Sequence, residues 1–357
     1  EVKDSPNPVV VHIVTDKGHG YAPAEKNKEA YHWGGPFNIE TGEPLGDGGG
    51  ISYNELTYQF LKDKMAKNPD VVAVTAGTPT IMGFTPDRRK EAGRRFIDVG
   101  IAEEQAAAMS SGMAKNGLRP VWGVYSSFVQ RAYDQISQDI SINNTPAVIA
   151  VFMGTVSGMN DVTHLGWFDQ SLLSNIPNIV MLAPSHRREY LAMMNWAIDQ
   201  TEHPVIVRVP DPEVVDLDID VDDDYSDLNS YQLVRSGQDI AIIASGNMLP
   251  DALKAADKLE AEGIKPTVIN PRFLSGIDEE MLSSLSEDHK AVLTVEDAIL
   301  DGGMGQKIAS FFADRPMLVK NLGLPKVFLD RYDADKVKDE AHLTVDGIVE
   351  QAKIMFK

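Results

Sequence analysis

The chain has 357 residues, enough for two domains with sizeable cores. Its 33 Lys and Arg residues against 53 Asp and Glu residues give a formal net charge of −20, which argues against nucleic acids and anionic membranes as partners. The absence of cysteine excludes a disulfide framework, a thiolate metal site and a thiol nucleophile, and it is typical of a cytoplasmic protein. No run of about 18 apolar residues occurs, so we expect no membrane span.

The first 50 residues do not have the pattern of a self-sufficient domain. Val9–Val14 is predicted to be a strand, and irregular sequence rich in glycine follows it up to residue 50. A lone strand leaves its edges and faces uncovered. We therefore expect residues 1–50 to be the tail of a preceding domain together with a linker.

Residues 51–210 alternate predicted strands with predicted helices, which indicates a parallel sheet covered on both faces. The predicted strands are Val71–Ala76, Phe96–Val99, Val121–Tyr125, Ala147–Phe152, Ile179–Ala183 and Val205–Val209.

Residues 211–228 are dominated by Asp and are predicted to be a solvated linker. The alternation resumes in residues 229–357, so the fold class is α/β with two doubly wound domains. The predicted elements of the second domain are the strands Ile240–Ala244, Thr267–Ile269 and Val292–Val295 and the helices Asp251–Glu262, Gly305–Ala313 and Asp346–Met355.

A candidate site is predicted at one edge of the first sheet. The strand Phe96–Val99 ends at Gly100, and a helix follows, so Glu103 lies where open α/β sheets bind their ligands. The next strand places Tyr125, Phe128 and Arg131 on one side of a helical turn, because they are spaced by three residues. A carboxylate, two aromatic rings and a guanidinium are expected to converge there.

Two motifs at this site resemble the pyrimidine-binding domain of 1-deoxy-D-xylulose-5-phosphate synthases, which are thiamine-diphosphate enzymes of the transketolase superfamily. They are Asp-Val-Gly-Ile-Ala-Glu at 98–103 and Tyr-Ser-Ser-Phe-Val-Gln-Arg-Ala-Tyr-Asp-Gln at 125–135. Thr-Asp-Lys-Gly-His-Gly at 15–20 resembles the end of that family's first domain. The resemblance continues in Thr-His at 163–164, Phe-Asp at 168–169, Ile-Pro-Asn at 176–178, Thr-Val-Glu at 294–296 and Gly-Gly-Met-Gly at 302–305.

The resemblance implies a role for each candidate residue. Glu103 would be the carboxyl group that hydrogen-bonds the cofactor's pyrimidine ring and activates the cofactor, with Phe128 stacked on that ring and Ile101 beside it. His164 would transfer protons, which suits histidine at neutral pH. The residues that would face the substrate are Tyr125, Arg131, Asp161, Arg208, Lys17 and His32.

The sequence also departs from the family pattern. Met153 and Asp211 stand where the family usually has arginines, and Asn160 stands where it has an acidic residue, with Asp161 one place later. The loss of two cations weakens a phosphate site. We therefore expect a weakly charged or unphosphorylated aldehyde acceptor, with pyruvate as the donor.

The family's metal-diphosphate motif is not found in a suitable context. Gly46-Asp47-Gly48 has the residue types of that motif, but it follows no predicted strand and begins no βα turn. We therefore reject it as the metal-diphosphate motif. No metal ligands are predicted in the chain. We expect Mg²⁺ and the diphosphate to be bound by a pyrophosphate-binding domain, contributed by a preceding segment or by a separate polypeptide.

Three interpretations of the function remain open. The first is half of a synthase-like transferase, and the second is the beta subunit of a 2-oxo acid dehydrogenase, which Gly-Leu-Arg-Pro-Val at 117–121 fits. The third is a non-catalytic assembly or regulatory subunit. In each case we expect a homodimer or a partner of a pyrophosphate-binding domain, because a helical face containing Ala106, Met109 and Met113 would be poorly covered in a lone chain.

Overall fold

The structure is a computed structural model that describes residues 2–32, 35–45 and 51–356. The chain divides into two compact units, residues 1–50 and residues 51–357, and each is described by itself. Gly46-Asp47-Gly48 lies outside the described residues. No helix within the described ranges is long and apolar enough to cross a membrane. The cytoplasmic location stays a prediction.

The first unit contains little regular structure. Its described residues form one short helix, α1 (Ala22–Lys26), and an isolated antiparallel bridge between Phe37 and Pro44. The rings of Tyr21, Tyr31 and Phe37 pack together, with centroids 5.2 to 5.8 Å apart. This small aromatic cluster is the main packing of the unit.

The prediction of a strand at Val9–Val14 is wrong. These residues have no strand hydrogen bonds, and Val10, Ile13 and Val14 are 94%, 74% and 81% exposed. A segment with the sequence pattern of a β-strand forms a strand only where a neighbouring strand pairs with it. The described part of the first unit provides no such neighbour.

The second unit begins with a six-stranded parallel sheet in the order β2-β1-β3-β4-β6-β5. All six strands were predicted, with bounds that differ by at most two residues at either end. They are β1 (Val71–Thr75), β2 (Phe96–Asp98), β3 (Arg119–Tyr125), β4 (Val148–Phe152), β5 (Val180–Leu182) and β6 (Val205–Arg208).

Helices cover both faces of this sheet, which confirms the predicted doubly wound architecture. Successive side chains of strand β1 point to opposite faces of the sheet, and both faces are apolar. Val71 and Ala73 belong to one hydrophobic cluster, and Val72 and Val74 belong to another. The helical elements are α2 (Tyr53–Lys67), α3 (Pro86–Ala92), α4 (Glu103–Lys115), α5 (Ser126–Val129), α6 (Tyr133–Gln135), α7 (Asp169–Leu173) and α8 (Arg187–Asp199).

A five-stranded sheet forms the second half of this unit, in the order β11-β10-β8-β9-β7. Its strands are parallel except β7, which is antiparallel to β9. The three predicted strands correspond to β8, β9 and β10, whereas the two edge strands were not predicted. The strands are β7 (Gln232–Arg235), β8 (Ile240–Ala244), β9 (Pro266–Asn270), β10 (Ala291–Ile299) and β11 (Leu318–Leu324).

The helices of this second half are α9 (Leu249–Ala261), α10 (Glu279–Asp288), α11 (Met304–Phe311), α12 (Ala334–Glu340) and α13 (Val345–Phe356). Three of them, α9, α11 and α13, begin and end close to the predicted positions, whereas α10 and α12 were not predicted. Asp278 caps α10, because its side chain accepts a hydrogen bond from the Met281 amide at 2.8 Å.

The acidic linker 211–228 contains no helix or strand and is mostly exposed, as predicted, but two of its residues are buried. Asp211 and Tyr225 are buried, with 3% and 2% exposure. Asp222 forms an ion pair with Arg272, a residue that follows β9. The linker therefore packs along the fold that it connects.

Candidate active site

The site is built from the carboxyl ends of neighbouring parallel strands. In the sheet register, Thr75 at the end of β1 lies beside Asp98 at the end of β2, and Tyr125 at the end of β3 lies beside Phe152 at the end of β4. The carboxylate of Asp98 accepts hydrogen bonds from the amides of Gly77 and Gly100, at 2.8 and 2.9 Å. This orders the two turns that lead away from β1 and β2, at the edge where open sheets bind ligands.

Glu103 is the first residue of α4 and is 2% exposed. Gly100, at φ +75°, makes the turn that brings the chain from β2 into this helix. The hydrogen-bond partner of the Glu103 carboxylate among the described residues is Arg131, whose Nη1 lies 3.0 Å from Oε2. A buried carboxylate with a half-exposed guanidinium partner thus stands at the edge of the sheet.

Three rings lie next to each other at the same edge. The Phe128 ring contacts the Tyr125 ring edge to face at a centroid distance of 5.4 Å, and it contacts the His164 ring at 5.2 Å. Burial, followed by the negative charge of Asp211, raises the pKa of Tyr125. The structure therefore brings together the Tyr125, Phe128 and His164 of the sequence prediction.

His164 lies in a loop between β4 and α7 that has no helix or strand. Its Nδ1 is 2.8 Å from Oδ1 of Asp161 and 2.9 Å from Oγ1 of Thr163. Hydrogen bonds from Thr163 and then from His164 lower the pKa of Asp161. Asp161 is thus an ionised acceptor that orients the imidazole, which is the arrangement expected of a proton-transferring histidine.

The two positions that depart from the family pattern contact each other. The backbone amide of Met153 donates a hydrogen bond to Oδ2 of Asp211 at 3.0 Å, and Met153 has φ +58°, a region that non-glycine residues rarely adopt. Burial raises the pKa of Asp211 to about 7. These two positions therefore contribute a buried carboxyl group where the family pattern has two guanidinium groups.

Arg208, predicted to face the substrate, is buried in an ion pair. Its Nε lies 2.9 Å from Oδ2 of Asp169, and its Nη2 donates to the carbonyl of Asp297 at 2.8 Å. The guanidinium is 4% exposed and links the ends of β6, α7 and β10. Its proposed contact with a substrate phosphate remains a prediction.

The remaining predicted residues lie in different settings. Ile101 is 79% exposed, in the turn before α4. In the first unit, Nζ of Lys17 contacts Nδ1 of His32. These two residues come together as a pair, and nothing in the structure assigns them to the site of the second unit.

The predicted uncovered face of α4 needs a correction. Ala106 is fully buried in the core, so it does not belong to an exposed face. The exposed side of the helix is a shallow groove that Met109 and Met113 line together with Gln105, Ala108, Gly112, Asn116 and Leu118.

Sequence reasoning missed a residue after β11, Tyr332, that contacts the His164 loop. The hydroxyl of Tyr332 donates to the carbonyls of Val156 and Met159, at 2.8 and 3.0 Å. No motif indicated Tyr332, because it lies more than 170 residues after these partners.

Comparison with known proteins gives the class of the chain. Residues 49–215 match the model described as transketolase, pyrimidine binding domain, and residues 230–348 match transketolase, C-terminal domain. Together these models account for most of the 357 residues. The chain belongs to the transketolase family.

The relatives it resembles are more specific. The chain is 36% identical to the 1-deoxy-D-xylulose-5-phosphate synthase of Desulforudis audaxviator over 349 residues, which are 97% of this chain and 55% of that protein. It is 38% identical to the synthase of Carboxydothermus hydrogenoformans over 323 residues, which are 90% of this chain and 51% of that protein. The chain spans about half the length of the curated relatives it matches.

Solved structures agree on the fold. A split-gene transketolase, described as an inactive β4 tetramer, matches with a TM-score of 0.71 and 26% identity over 86% of this chain and 99% of that chain. The transketolase of Pichia stipitis in complex with sedoheptulose 7-phosphate matches with a TM-score of 0.70 and 18% identity, over 86% and 46% of the two chains.

Proposed function

We propose that the chain supplies the pyrimidine-binding half of a thiamine-diphosphate-dependent transferase, which condenses a two-carbon unit from pyruvate with an aldehyde. The observation that carries this proposal is the position of Glu103. Its carboxylate is buried at the start of α4, at the sheet edge that also holds the Phe128 and His164 rings. The similarity to 1-deoxy-D-xylulose-5-phosphate synthases supports the reaction type.

The residues at this edge fit the pyrimidine end of the cofactor. Arg131 binds the Glu103 carboxylate through Oε2, so Oε1 is available for a ring nitrogen. Phe128 is partly buried and would add a stacking contact, worth about 0.5–1.5 kcal/mol beyond the buried area. The site therefore offers a hydrogen-bonding carboxyl group and an aromatic surface.

The chemical roles follow from these contacts. When bound, thiamine diphosphate supplies the carbon that adds to the carbonyl group of the donor. Glu103 would hold and polarise the ring of the cofactor. His164, held through Nδ1 by Asp161, would keep Nε2 directed at a substrate oxygen and move a proton there.

The diphosphate and Mg²⁺ would be bound by residues outside this chain. Within the described ranges there is no group of three or more His, Asp or Glu side chains that could hold a metal ion. We propose that a pyrophosphate-binding domain, on a longer form of this protein or on a separate polypeptide, provides these ligands.

We also propose that the chain assembles with itself through α4. The groove lined by Met109 and Met113 is apolar, and apolar surface of this kind is typical of a contact between subunits. The split-gene transketolase that resembles this chain is described as a tetramer of its β chains that is inactive. By analogy, self-association without the pyrophosphate-binding half would give an inactive assembly.

The acceptor is proposed to be a weakly charged or unphosphorylated aldehyde. The support is the buried contact between Met153 and Asp211, where the family usually has two arginines. Each charge-assisted hydrogen bond contributes about 1.5–3 kcal/mol, so the loss of two disfavours a phosphate dianion.

Calorimetry with Mg²⁺ and thiamine diphosphate tests the proposed division of the site. The isolated chain is expected to show no micromolar binding. Co-expression with the part of the Desulforudis synthase that this chain does not match is expected to restore binding and product formation. Micromolar binding by the isolated chain would contradict the division, and a folded pair of halves that binds no cofactor would contradict the function.

A further inference from the structure

The loop that carries His164, residues 153–168, is held mainly by the second half of the molecule. It has no helix or strand of its own. Its middle part, residues 156–162, makes hydrogen bonds to other parts of the described chain only through β10 and through a segment after β11. We name residues 328–332 of that segment the clamp segment.

The clamp segment contacts the loop through side chains and backbone. The Tyr332 hydroxyl donates to the carbonyls of Val156 and Met159, at 2.8 and 3.0 Å. The carboxylate of Asp330 accepts a hydrogen bond from the amide of Val162 at 3.2 Å. Val156 and Met159 lie shortly before Asp161 in the chain, and Val162 lies between Asp161 and His164. The contacts therefore fix the backbone that carries the Asp161 and His164 side chains.

Asn160 provides a reciprocal contact with the same segment. Its carbonyl accepts from the Arg331 amide at 2.6 Å, and its side-chain amide donates to the carbonyl of Tyr332 at 3.3 Å. Asn160 stands where the sequence comparison expected an acidic residue. The amide suits this place, because a carboxylate could not donate to the carbonyl of Tyr332.

Aromatic packing adds to these hydrogen bonds. The Tyr332 ring meets the buried Trp167 ring edge to face at 5.3 Å, and the Phe328 ring lies 5.8 Å from that of Phe168. At the other end of the loop, Asp297 of β10 accepts from the Val156 amide at 3.2 Å. The middle of the loop is thus held by β10 and by the clamp segment, whereas its ends are also held by Asp211, which accepts from the Met153 amide, and by Ser126, which donates to the Gly166 carbonyl.

We infer that the clamp segment positions His164, with Tyr332 and Asp330 as its positioning residues. The inference deepens the proposed function, since it gives the C-terminal domain a role in presenting the proton-transferring histidine. The clamp itself is a property of the folded chain and does not require bound cofactor.

Two substitutions separate the contacts. Tyr332→Phe removes the hydroxyl and keeps the ring against Trp167, and Asp330→Ala removes an exposed acceptor from the surface. Tyr231→Phe is the matched control, because the Tyr231 hydroxyl is buried and has no hydrogen-bond partner among the described residues. All three changes leave the hydrophobic core intact.

Hydrogen exchange of the 357-residue chain, followed by mass spectrometry, measures the clamp directly. Peptides within residues 154–166 are expected to exchange about two- to tenfold faster in Tyr332→Phe and in Asp330→Ala, the range expected for losing one hydrogen bond. Peptides elsewhere, and the whole Tyr231→Phe variant, are expected to exchange as the unmodified protein does.

Carbethoxylation with diethylpyrocarbonate reports on the imidazole itself. His164 is expected to react faster in both clamp variants, while His203, which has a similar side-chain exposure of 29% against 32%, keeps its rate. Unchanged exchange in residues 154–166 together with an unchanged His164 reaction rate in both variants would overturn the inference.

The chain co-expressed with the unmatched half of the Desulforudis synthase is called the complemented enzyme. Its kinetics test whether the clamp affects the reaction. Tyr332→Phe is expected to lower kcat in the unmodified background and to have no further effect in a His164→Gln background, because it acts through His164. Equal losses in both backgrounds would show that Tyr332 does not act through His164. An inactive complemented enzyme would count against the proposed function and would leave the exchange and modification results to decide on the clamp.

Discussion

Asp211 offers a direct test of the electrostatics of the site. Its carboxyl group is 3% exposed, and the Met153 amide donates a hydrogen bond to it. Burial raises its pKa from 3.8 to about 7. Asp211→Asn keeps the shape and the acceptor oxygen for Met153, but it removes the ionisable proton.

The sign of the effect follows from linkage. The folded protein binds this proton more tightly than the unfolded chain, so the contribution of Asp211 to stability is fully present below pH 3.8. It is lost as the pH rises towards about 7. A difference of about three pKa units corresponds to about 4 kcal/mol. Asp211→Asn should therefore be close to the unmodified protein in stability under acidic conditions and up to about 4 kcal/mol more stable above neutrality.

Urea unfolding followed by the fluorescence of the buried tryptophans measures this difference, which should be about 1.5 kcal/mol at about pH 5, already above pH 3.8, and about 4 kcal/mol at about pH 8. Glu296, whose pKa burial also raises to about 7, contributes the same pH dependence in both proteins and cancels in the comparison. Asp218→Asn, at an exposed position of the same linker, is the control. If Asp211→Asn and the unmodified protein lose stability equally over this pH range, Asp211 is ionised in the fold and the reasoning is wrong.

Three further predictions concern the site and its surface. In the complemented enzyme, Glu103→Gln should lower turnover about 10²-fold or more, because an amide cannot exchange a proton with the ring; steady-state rates near those of the unmodified enzyme would show that another residue has this role. Arg131→Leu leaves the Glu103 carboxylate buried without its ion-pair partner. Because Arg131 is 49% exposed, we expect the free energy of unfolding in urea to fall by only about 1 kcal/mol, and Arg131→Lys should restore part of it. Met113→Glu places a charge in the α4 groove and should shift the chain to a monomer in light scattering. Lys115→Glu, at an exposed position of the same helix, should leave the oligomer unchanged. An unchanged oligomer in Met113→Glu would place the interface elsewhere.

Apart from the short edge strand β2, the strands that sequence analysis found are largely buried. Strands β1, β4 and β8 consist almost entirely of buried apolar residues, so a short apolar run was sufficient to predict them. The edge strand β7 was missed because it is partly exposed and mixes polar with apolar residues. Val9–Val14 has a strong strand pattern but pairs with no strand among the described residues, and a sequence pattern alone does not show whether a pairing partner exists.

The same distinction applies to the site. Glu103, Phe128 and His164 lie in short motifs, so sequence was enough to propose them. Arg131, which follows Glu103 by 28 residues, was also predicted to converge with it, because both residues follow strands of one sheet. The clamp contact was not predicted, since Tyr332 follows Val156 by 176 residues. Which side chains meet across such separations depends on the strand order and on the packing of the two sheets, and no local pattern encodes these.

The contact between Met153 and Asp211 changes how an acceptor experiment should be designed. A guanidinium introduced at Met153 would lie close to the Asp211 carboxyl group and would pair with it, lowering the pKa of Asp211 by attraction between opposite charges. Met153→Arg alone should therefore do little for a phosphorylated aldehyde. Met153→Arg combined with Asp211→Asn leaves the cation free, and one charge-assisted contact of about 1.5–3 kcal/mol corresponds to about a ten- to hundredfold gain in kcat/KM for the phosphorylated acceptor. An equal gain in the single and double variants would show that Asp211 does not oppose the phosphate, and no gain in either would place the acceptor's far end away from these two residues.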